Sequence, residues 1–125
     1  MHNLKSAIVA SAKGPATQTE TGTFIRTYCF RPDFIGFSGH FPGYPILPAV
    51  VQVFTILSMA EEVKGCSLEL ISIVKAKFHI EIHPGQDVRI EYRDGTIQGK
   101  PSIESTITVS DGVASSLVAI VSEKE

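Results

Sequence analysis

The chain has 125 residues, of which 43% are hydrophobic and 19% charged, and its formal net charge is −2. This length predicts one domain over residues 1–125, because single domains most often contain about 100–150 residues. The hydrophobic content excludes a disordered chain, and the scattered basic residues form no cluster that would bind nucleic acid. The two cysteines lack metal-binding spacing, and no secretory signal or membrane-spanning stretch is recognisable. We therefore expect a cytoplasmic protein with reduced cysteines and no membrane association.

The first part of the chain predicts two strands separated by an exposed loop. Residues 4–12 are small and apolar and are interpreted as a first strand. Residues 14–22 begin with Gly-Pro and continue with Thr and Gln, which is typical of a turn or loop. Residues 23–30 place three aromatic side chains on one parity, which indicates a second strand.

A stiff loop and a helix follow. Residues 31–48 contain four of the seven prolines and three glycines, which excludes regular structure. Long loops inside compact domains are usually functional, and this one carries four aromatic side chains and His40. Pro48 suits the first turn of a helix and Gly65 its end, so residues 49–64 predict a helix of about four turns. That helix is apolar on most faces, which predicts a central, buried position.

The second half of the chain has an apolar period of two, which predicts four antiparallel strands. They cover residues 74–82, 88–92, 103–109 and 113–121, separated by turns at Pro84-Gly85, Asp94-Gly95 and Asp111-Gly112. We expect the first to be half buried and the last to lie inside the sheet. With no second helix visible, the prediction is an α+β plan with one helix packed against about five or six antiparallel strands, as in the hot-dog fold.

The loop and the start of the helix carry a specific motif. Residues 39–52 are Gly-His-Phe-Pro-Gly-Tyr-Pro-Ile-Leu-Pro-Ala-Val-Val-Gln. They closely resemble the signature of the β-hydroxyacyl-acyl carrier protein dehydratases, which is His-Phe-Pro-Gly followed by Pro, two apolar residues and Pro-Gly. Their wording is more similar to the aryl-polyene-type enzymes than to the housekeeping ones. Residues 75–78 and 83–87 look like the family's Lys-Phe strand and Pro-Gly turn. The resemblance covers about residues 23–121 and implies a hot-dog dehydratase of fatty-acid or polyene-type lipid biosynthesis.

The resemblance also implies roles for individual residues. His40 would be the base that removes the C2 proton of a 3-hydroxyacyl thioester. The backbone N–H of Ala49, which stands where the family has glycine, would polarise the thioester carbonyl. The further substrate-binding candidates are Phe41, Gly43, Gln52 and Phe54. No cofactor is expected. The implied partners are an acyl carrier protein or coenzyme A thioester and a second chain, in a homodimer or in a heterodimer with a related dehydratase.

The chain departs from the family pattern at the general acid. The family has Glu or Asp fourteen residues after the histidine, where this chain has Phe54, an apolar residue suited to a core. A phenyl ring cannot donate a proton, and losing a general acid lowers the rate about 10²–10⁴-fold. Glu61 is on the same helical face but about 10 Å farther along the axis. No basic partner is evident for Glu61 or Glu62, so both are interpreted as the solvent-exposed end of the helix.

Three functions remain open at this point. The first is an active dehydratase whose acid comes from elsewhere, such as a partner chain. The second is a non-catalytic homologue that binds acyl thioesters or pairs with an active dehydratase. The third is a hot-dog thioesterase, because the same fold also hosts thioester hydrolysis.

One further cluster could bind a metal. His79, Glu81 and His83 share one face of the strand expected over residues 74–82. Lys75 and Lys77 have the same parity, however, and an ordinary solvated face explains the pattern as well. We expect no metal site.

Overall fold

In the computed structural model, residues 3–37 and 43–124 are described, and they form one antiparallel sheet with a long helix packed against it. In chain order the elements are α1 (Leu4–Ala10), β1 (Thr17–Glu20), β2 (Thr23–Cys29), a 3₁₀ turn (Ile35–Phe37), α2 (Ala49–Lys64), β3 (Leu68–Phe78), β4 (Asp87–Ile97), β5 (Lys100–Val109) and β6 (Gly112–Glu123). The sheet has six strands in the order β1-β2-β4-β5-β6-β3. The α+β plan is confirmed, and β6 lies inside the sheet as expected.

Helix α2 has the bounds that its sequence predicts. It begins after Pro48, which has extended backbone angles, and it ends at Gly65, whose φ of 71° is in the left-handed region that glycine adopts readily. Eight of its residues are buried, and Val51, Ile56 and Met59 join the core that the sheet provides. The helix is therefore central, as expected. Among the described residues, neither helix has the length and apolar content needed to cross a bilayer.

The expected first strand is wrong, because Leu4–Ala10 forms helix α1. The side chain of Asn3 caps the helix by accepting a hydrogen bond from the N–H of Ser6 at 2.8 Å. Leu4 and Ile8 are one helical turn apart, and Ile8 is buried in the core beside α2. A second helix therefore covers part of the core, contrary to the expectation of a single helix.

Strand β1 and the position of β3 also differ from the expectations. Thr17–Glu20 was expected to be a loop but forms a short, fully exposed edge strand. Strand β3 begins at Leu68, ends at Phe78, and contains two bulges. It is exposed on both faces from residue 71 to residue 78, so the expectation of a half-buried strand is wrong. Strand β3 is the other edge of the described sheet, and of its residues Leu68 and Leu70 contribute to the hydrophobic core, so the rest of the strand lacks a packed layer on either face.

The turn after β4 lies four residues later than the expected turn at Asp94-Gly95. Strand β4 continues to Ile97, and the chain reverses at Gln98 and Gly99, which have φ values of 51° and 79°. Two consecutive positive φ values are typical of the tight hairpin turn that matches strand twist. The β5–β6 hairpin likewise turns at residues 110–111, and Gly112 is already the first residue of β6.

Candidate active site

The start of α2 presents free backbone donors. The N–H groups of Val51 and Gln52 both donate to the carbonyl oxygen of Pro48, at 3.1 Å each, and so are not free. The first two residues of the helix, Ala49 and Val50, precede this hydrogen-bonding pattern and have no acceptor within the helix. Ala49 is an exposed residue, and its N–H has no acceptor among the described residues. This is the donor that the sequence predicts for a thioester carbonyl.

Gln52 connects the first turn of α2 to the sheet. Its side chain is 5% exposed. Its amide nitrogen donates to the carbonyl oxygen of Leu47 at 3.2 Å, and its amide oxygen accepts from the hydroxyl of Ser115 on β6 at 2.8 Å. These bonds fix the helix start relative to β6, so the position of Ala49 depends on Gln52. Sequence reasoning assigns Gln52 to substrate binding, and this anchoring is a further role.

A cavity of about 360 Å³ lies at the same place and is called the helix-start cavity below. One wall comes from residues 46–49 together with Gln52, and the other from residues 78–81 at the end of β3. Ala49 and Gln52 therefore line one space. The opposite wall includes His79 and Glu81, which sequence reasoning considered only as metal ligands. In the part of the chain described, no group of three potential ligands is arranged around a common point.

Glu81 and His83 contact Tyr44, a residue that sequence reasoning did not select. The hydroxyl of Tyr44 donates to Oε1 of Glu81 at 2.7 Å. Nε2 of His83 lies 3.6 Å from the same oxygen, and the Tyr44 and His83 rings pack edge to face. The hydrogen bond to Glu81 raises the pKa of Tyr44, so its phenol stays protonated over the ordinary pH range. Tyr44 is 37 or more positions away from Glu81 and His83 along the chain, and no local sequence signal connects it to them.

Phe54 lines a different cavity. This second space, of about 410 Å³, lies between α1 and α2 and is also lined by Ile8, Ser58 and Glu61. The Phe54 side chain is 41% exposed, so the expectation that it is a core residue is wrong. The phenyl ring of Phe54 is therefore partly open to solvent.

The two glutamates near the end of α2 are engaged in contacts, which corrects the expectation that they lack partners. Glu61 accepts the backbone N–H of Leu68 through Oε2 at 2.8 Å, and its Oε1 lies 3.1 Å from Nζ of Lys5. Glu62 pairs with Arg26, whose side chain is largely buried. Glu61 therefore links α2 to β3 and to α1, and both of its oxygens are occupied by donors.

The remaining site candidates are on the loop before α2. His40 and Phe41 lie outside the described residues. Gly43 is exposed and has a φ of 81°, a conformation that residues with a Cβ rarely adopt. The chain next contacts the body of the protein at Tyr44, and Leu47 then donates its N–H to the carbonyl oxygen of Ile82 at 2.8 Å.

The sequence of this chain is similar to those of known dehydratases. A family profile described as ApeI-like, ApeI dehydratase, matches residues 16–116. The 3-hydroxyacyl-acyl-carrier-protein dehydratase FabZ of Roseobacter denitrificans is 40% identical over 74 residues, which are 52% of this chain and 47% of that protein. The FabZ of Sulfurimonas denitrificans is 35% identical over 102 residues, which are 71% of this chain and 64% of that protein. The matched region thus spans about half to two thirds of these curated relatives.

Solved structures share the architecture. The dehydratase heterocomplex ApeI:P from Xenorhabdus doucetiae matches with a TM-score of 0.73 and 20% identity, covering 88% of this chain and 95% of that chain. An uncharacterized protein from Erwinia carotovora matches with a TM-score of 0.68 and 26% identity, covering 88% and 91%. The E. coli PaaI protein matches with a TM-score of 0.65 at 10% identity, covering 97% and 89%. These likenesses confirm the hot-dog fold. Because the family profile extends over most of the sequence, this chain belongs to the ApeI-like dehydratase family.

Proposed function

We propose that this protein takes part in the dehydration of 3-hydroxyacyl thioesters, carried by acyl carrier protein or coenzyme A, in fatty-acid or polyene-type lipid synthesis. The observation that carries the proposal is the helix-start cavity, where the free N–H of Ala49 and the anchored Gln52 face one space in a chain of this family. A donor at this place stabilises the negative charge that develops on a thioester oxygen when the neighbouring carbon loses a proton.

The proposed reaction needs two proton transfers. A base removes the C2 proton, and an acid protonates the C3 hydroxyl as it leaves as water. We assign the base to His40, following the family motif. We assign the acid to a group outside the α2 face that carries Phe54, since a phenyl ring has no proton to give. Glu61 does not fit this role, because its carboxylate is held by Lys5 and by the N–H of Leu68.

The same observations favour a second candidate function, that of partner subunit for a related dehydratase. A chain with a base motif and no acid at the family position would be completed by a chain that supplies the carboxyl group. One protein of the same fold is itself named a dehydratase heterocomplex. In this second function the acyl thioester binds at the helix-start cavity, while the partner contributes the acid.

The edge strand β3 is the surface that we propose for this pairing. Its outer edge leaves backbone N–H and C=O groups unpaired within the sheet. Its exposed apolar side chains include Ile71, Ile73 and Val74, and Ile73 is 48% exposed. Contiguous exposed apolar surface of this kind marks protein interaction sites. A second chain paired along β3 would extend the sheet and cover these side chains.

The activity test uses the purified chain alone and together with a complete dehydratase of the same source. Hydration of crotonyl and dehydration of 3-hydroxydecanoyl carrier thioesters are followed by enoyl-thioester absorbance, with His40→Ala beside the wild type. Activity of the chain alone that disappears in His40→Ala supports the first function. Activity that appears only with the partner, and is lost when this chain carries His40→Ala, supports the second.

Two results would contradict the proposal. One is complete inactivity in both settings, with no gain of activity in Phe54→Glu. The other is release of free thiol without formation or loss of the enoyl group, which would identify a thioesterase.

The pairing test measures molecular mass by sedimentation equilibrium. Ile73→Asp places a charge on the edge strand and should shift the equilibrium toward single chains. Ile35→Asp is the matched control, because Ile35 has similar exposure at 43% but lies on the 3₁₀ turn rather than on β3. Equal masses for both variants and the wild type would exclude β3 as the pairing surface.

A further inference from the structure

We infer that Tyr44, Glu81 and His83 form a clamp that sets the spacing between the two walls of the helix-start cavity. In this role the three residues are positioning residues, and none of them needs to touch the substrate. The inference deepens the proposed function, because it gives the proposed thioester site a structural control outside its own lining.

The clamp connects the two walls directly. One wall is continuous with Tyr44, since the chain runs from this residue through residues 46–49 into α2. The opposite wall ends at Glu81, which the hydroxyl of Tyr44 contacts at 2.7 Å. This hydrogen bond therefore crosses from one wall to the other at the rim of the cavity.

His83 adds a second connection beside the first. Its Nδ1 lies 3.3 Å from the carbonyl oxygen of Pro45, which can accept a hydrogen bond from that nitrogen. Its Nε2 lies 3.6 Å from Oε1 of Glu81, and its ring packs against Tyr44 with 5.4 Å between the ring centroids. The Tyr44 hydroxyl thus donates to one carboxylate oxygen of Glu81, the His83 ring lies beside that oxygen, and its Nδ1 contacts Pro45.

A buried backbone hydrogen bond lies next to the clamp, and its opening can be used to measure whether the clamp is closed. The N–H of Leu47 donates to the carbonyl oxygen of Ile82 at 2.8 Å, and the Leu47 side chain is buried. Leu47 is also the acceptor for the Gln52 amide and lines the cavity wall two residues before Ala49. If the clamp opens, this bond should open more often, and the Ala49 donor should lose its fixed position.

The expected catalytic effect follows from geometry. Misplacing a reacting group by about 1 Å can cost as much as about 10²-fold in rate. Residues that act one step away from the substrate should cost less, so we expect about a tenfold loss of kcat with little change in KM. The loss should be the same whether one or two members of the clamp are removed, because they act as a unit.

The experiment compares Tyr44→Phe, Glu81→Ala, Glu81→Gln and the double variant Tyr44→Phe/Glu81→Ala. Glu81→Gln is the conservative variant, because its amide oxygen can still accept the Tyr44 hydroxyl. Glu104→Ala is the matched control, since Glu104 is exposed on β5, away from the clamp. Two quantities are measured for each variant, namely kcat and KM for crotonyl thioester hydration, and the exchange rate of the Leu47 amide by NMR.

The clamp predicts faster Leu47 exchange, by about tenfold, in Tyr44→Phe, in Glu81→Ala and in the double variant, with near wild-type exchange in Glu81→Gln and Glu104→Ala. The kcat values should follow the same order. Unchanged Leu47 exchange in Tyr44→Phe and Glu81→Ala would overturn the inference. So would a Glu81→Gln variant that keeps wild-type exchange but loses as much kcat as Glu81→Ala, because the carboxyl group would then be transferring a proton. If the wild type shows no hydration activity, either alone or with a complete dehydratase, the proposed function fails, and the exchange rates still decide the clamp.

Discussion

Replacing Glu61 by glutamine and by alanine separates a structural role for this residue from a catalytic one. In Glu61→Gln the side-chain oxygen can still accept the N–H of Leu68, and only the ion pair with the largely exposed Lys5 is lost. The free energy of unfolding should therefore fall by at most about 1 kcal/mol. In Glu61→Ala the N–H of the buried Leu68 also loses its acceptor, which adds a further loss of about 1–3 kcal/mol.

Urea unfolding measures these free energies. Enoyl-thioester absorbance measures kcat/KM, with the chain alone or together with a complete dehydratase, whichever shows activity for the wild type. A structural Glu61 predicts that folded Glu61→Gln keeps kcat/KM within about threefold of the wild type, whereas the loss of a general acid would lower it about 10²–10⁴-fold. Glu62→Gln is the control. Glu62 is on the same helix as Glu61, and its charge pairs with Arg26 of β2. A loss of the larger size in Glu61→Gln alone would refute the structural assignment and identify Glu61 as the acid.

Three further changes test the fold around the site. Gln52→Leu should lower the free energy of unfolding by about 2 kcal/mol in urea titrations, because it leaves the buried Ser115 hydroxyl without its partner. Burial raises the pKa of Tyr92 well above its usual value, so the folded state holds this proton more tightly than the unfolded state. The corresponding stability is complete below about pH 10 and is lost as the pH rises further, so the melting temperature of Tyr92→Phe should fall less steeply than that of the wild type between about pH 9 and 11. Gln98→Asn should raise the free energy of unfolding by about 0.5 kcal/mol, and the melting temperature slightly with it. The reason is that Asn tolerates the positive φ at this turn better than Gln.

The later strands and the buried helix can be placed in chain order from the sequence because periodicity and turn residues are local signals, whereas the position of β3 at the far edge of the sheet cannot. Pro48 and Gly65 mark both ends of α2, and each has the backbone conformation that its chemistry favours. The Asp94-Gly95 pair shows where local signals fail. Asp94 stays inside β4, where its carboxylate accepts the Tyr92 hydroxyl and lies 2.9 Å from Nζ of Lys64 on α2. One of the partners that hold this turn-forming residue in the strand is Lys64, which is on another element and outside any local sequence window.

Helix α1 was missed for a similar reason. A stretch of small apolar residues fits a strand as well as a short helix, and the deciding contacts are the Asn3 cap and the packing of Ile8 beside α2. In the candidate site, Ala49 and Gln52 could be selected because the motif is contiguous. Tyr44 could not, because its role depends on Glu81, which the fold brings from the far end of β3.

The exposed edge of β3 also affects how readily the protein aggregates while that edge is uncovered. Residues 70–74 are Leu-Ile-Ser-Ile-Val, a short uncharged segment with high β-propensity on an open sheet edge, and such segments can template aggregation. Lys75 and Lys77 follow at once and are exposed, so their charges oppose stacking of identical edges and act as gatekeepers. A chain whose β3 edge is uncovered would depend on these two lysines to remain dispersed, and neutralising both should lower the concentration at which the protein precipitates.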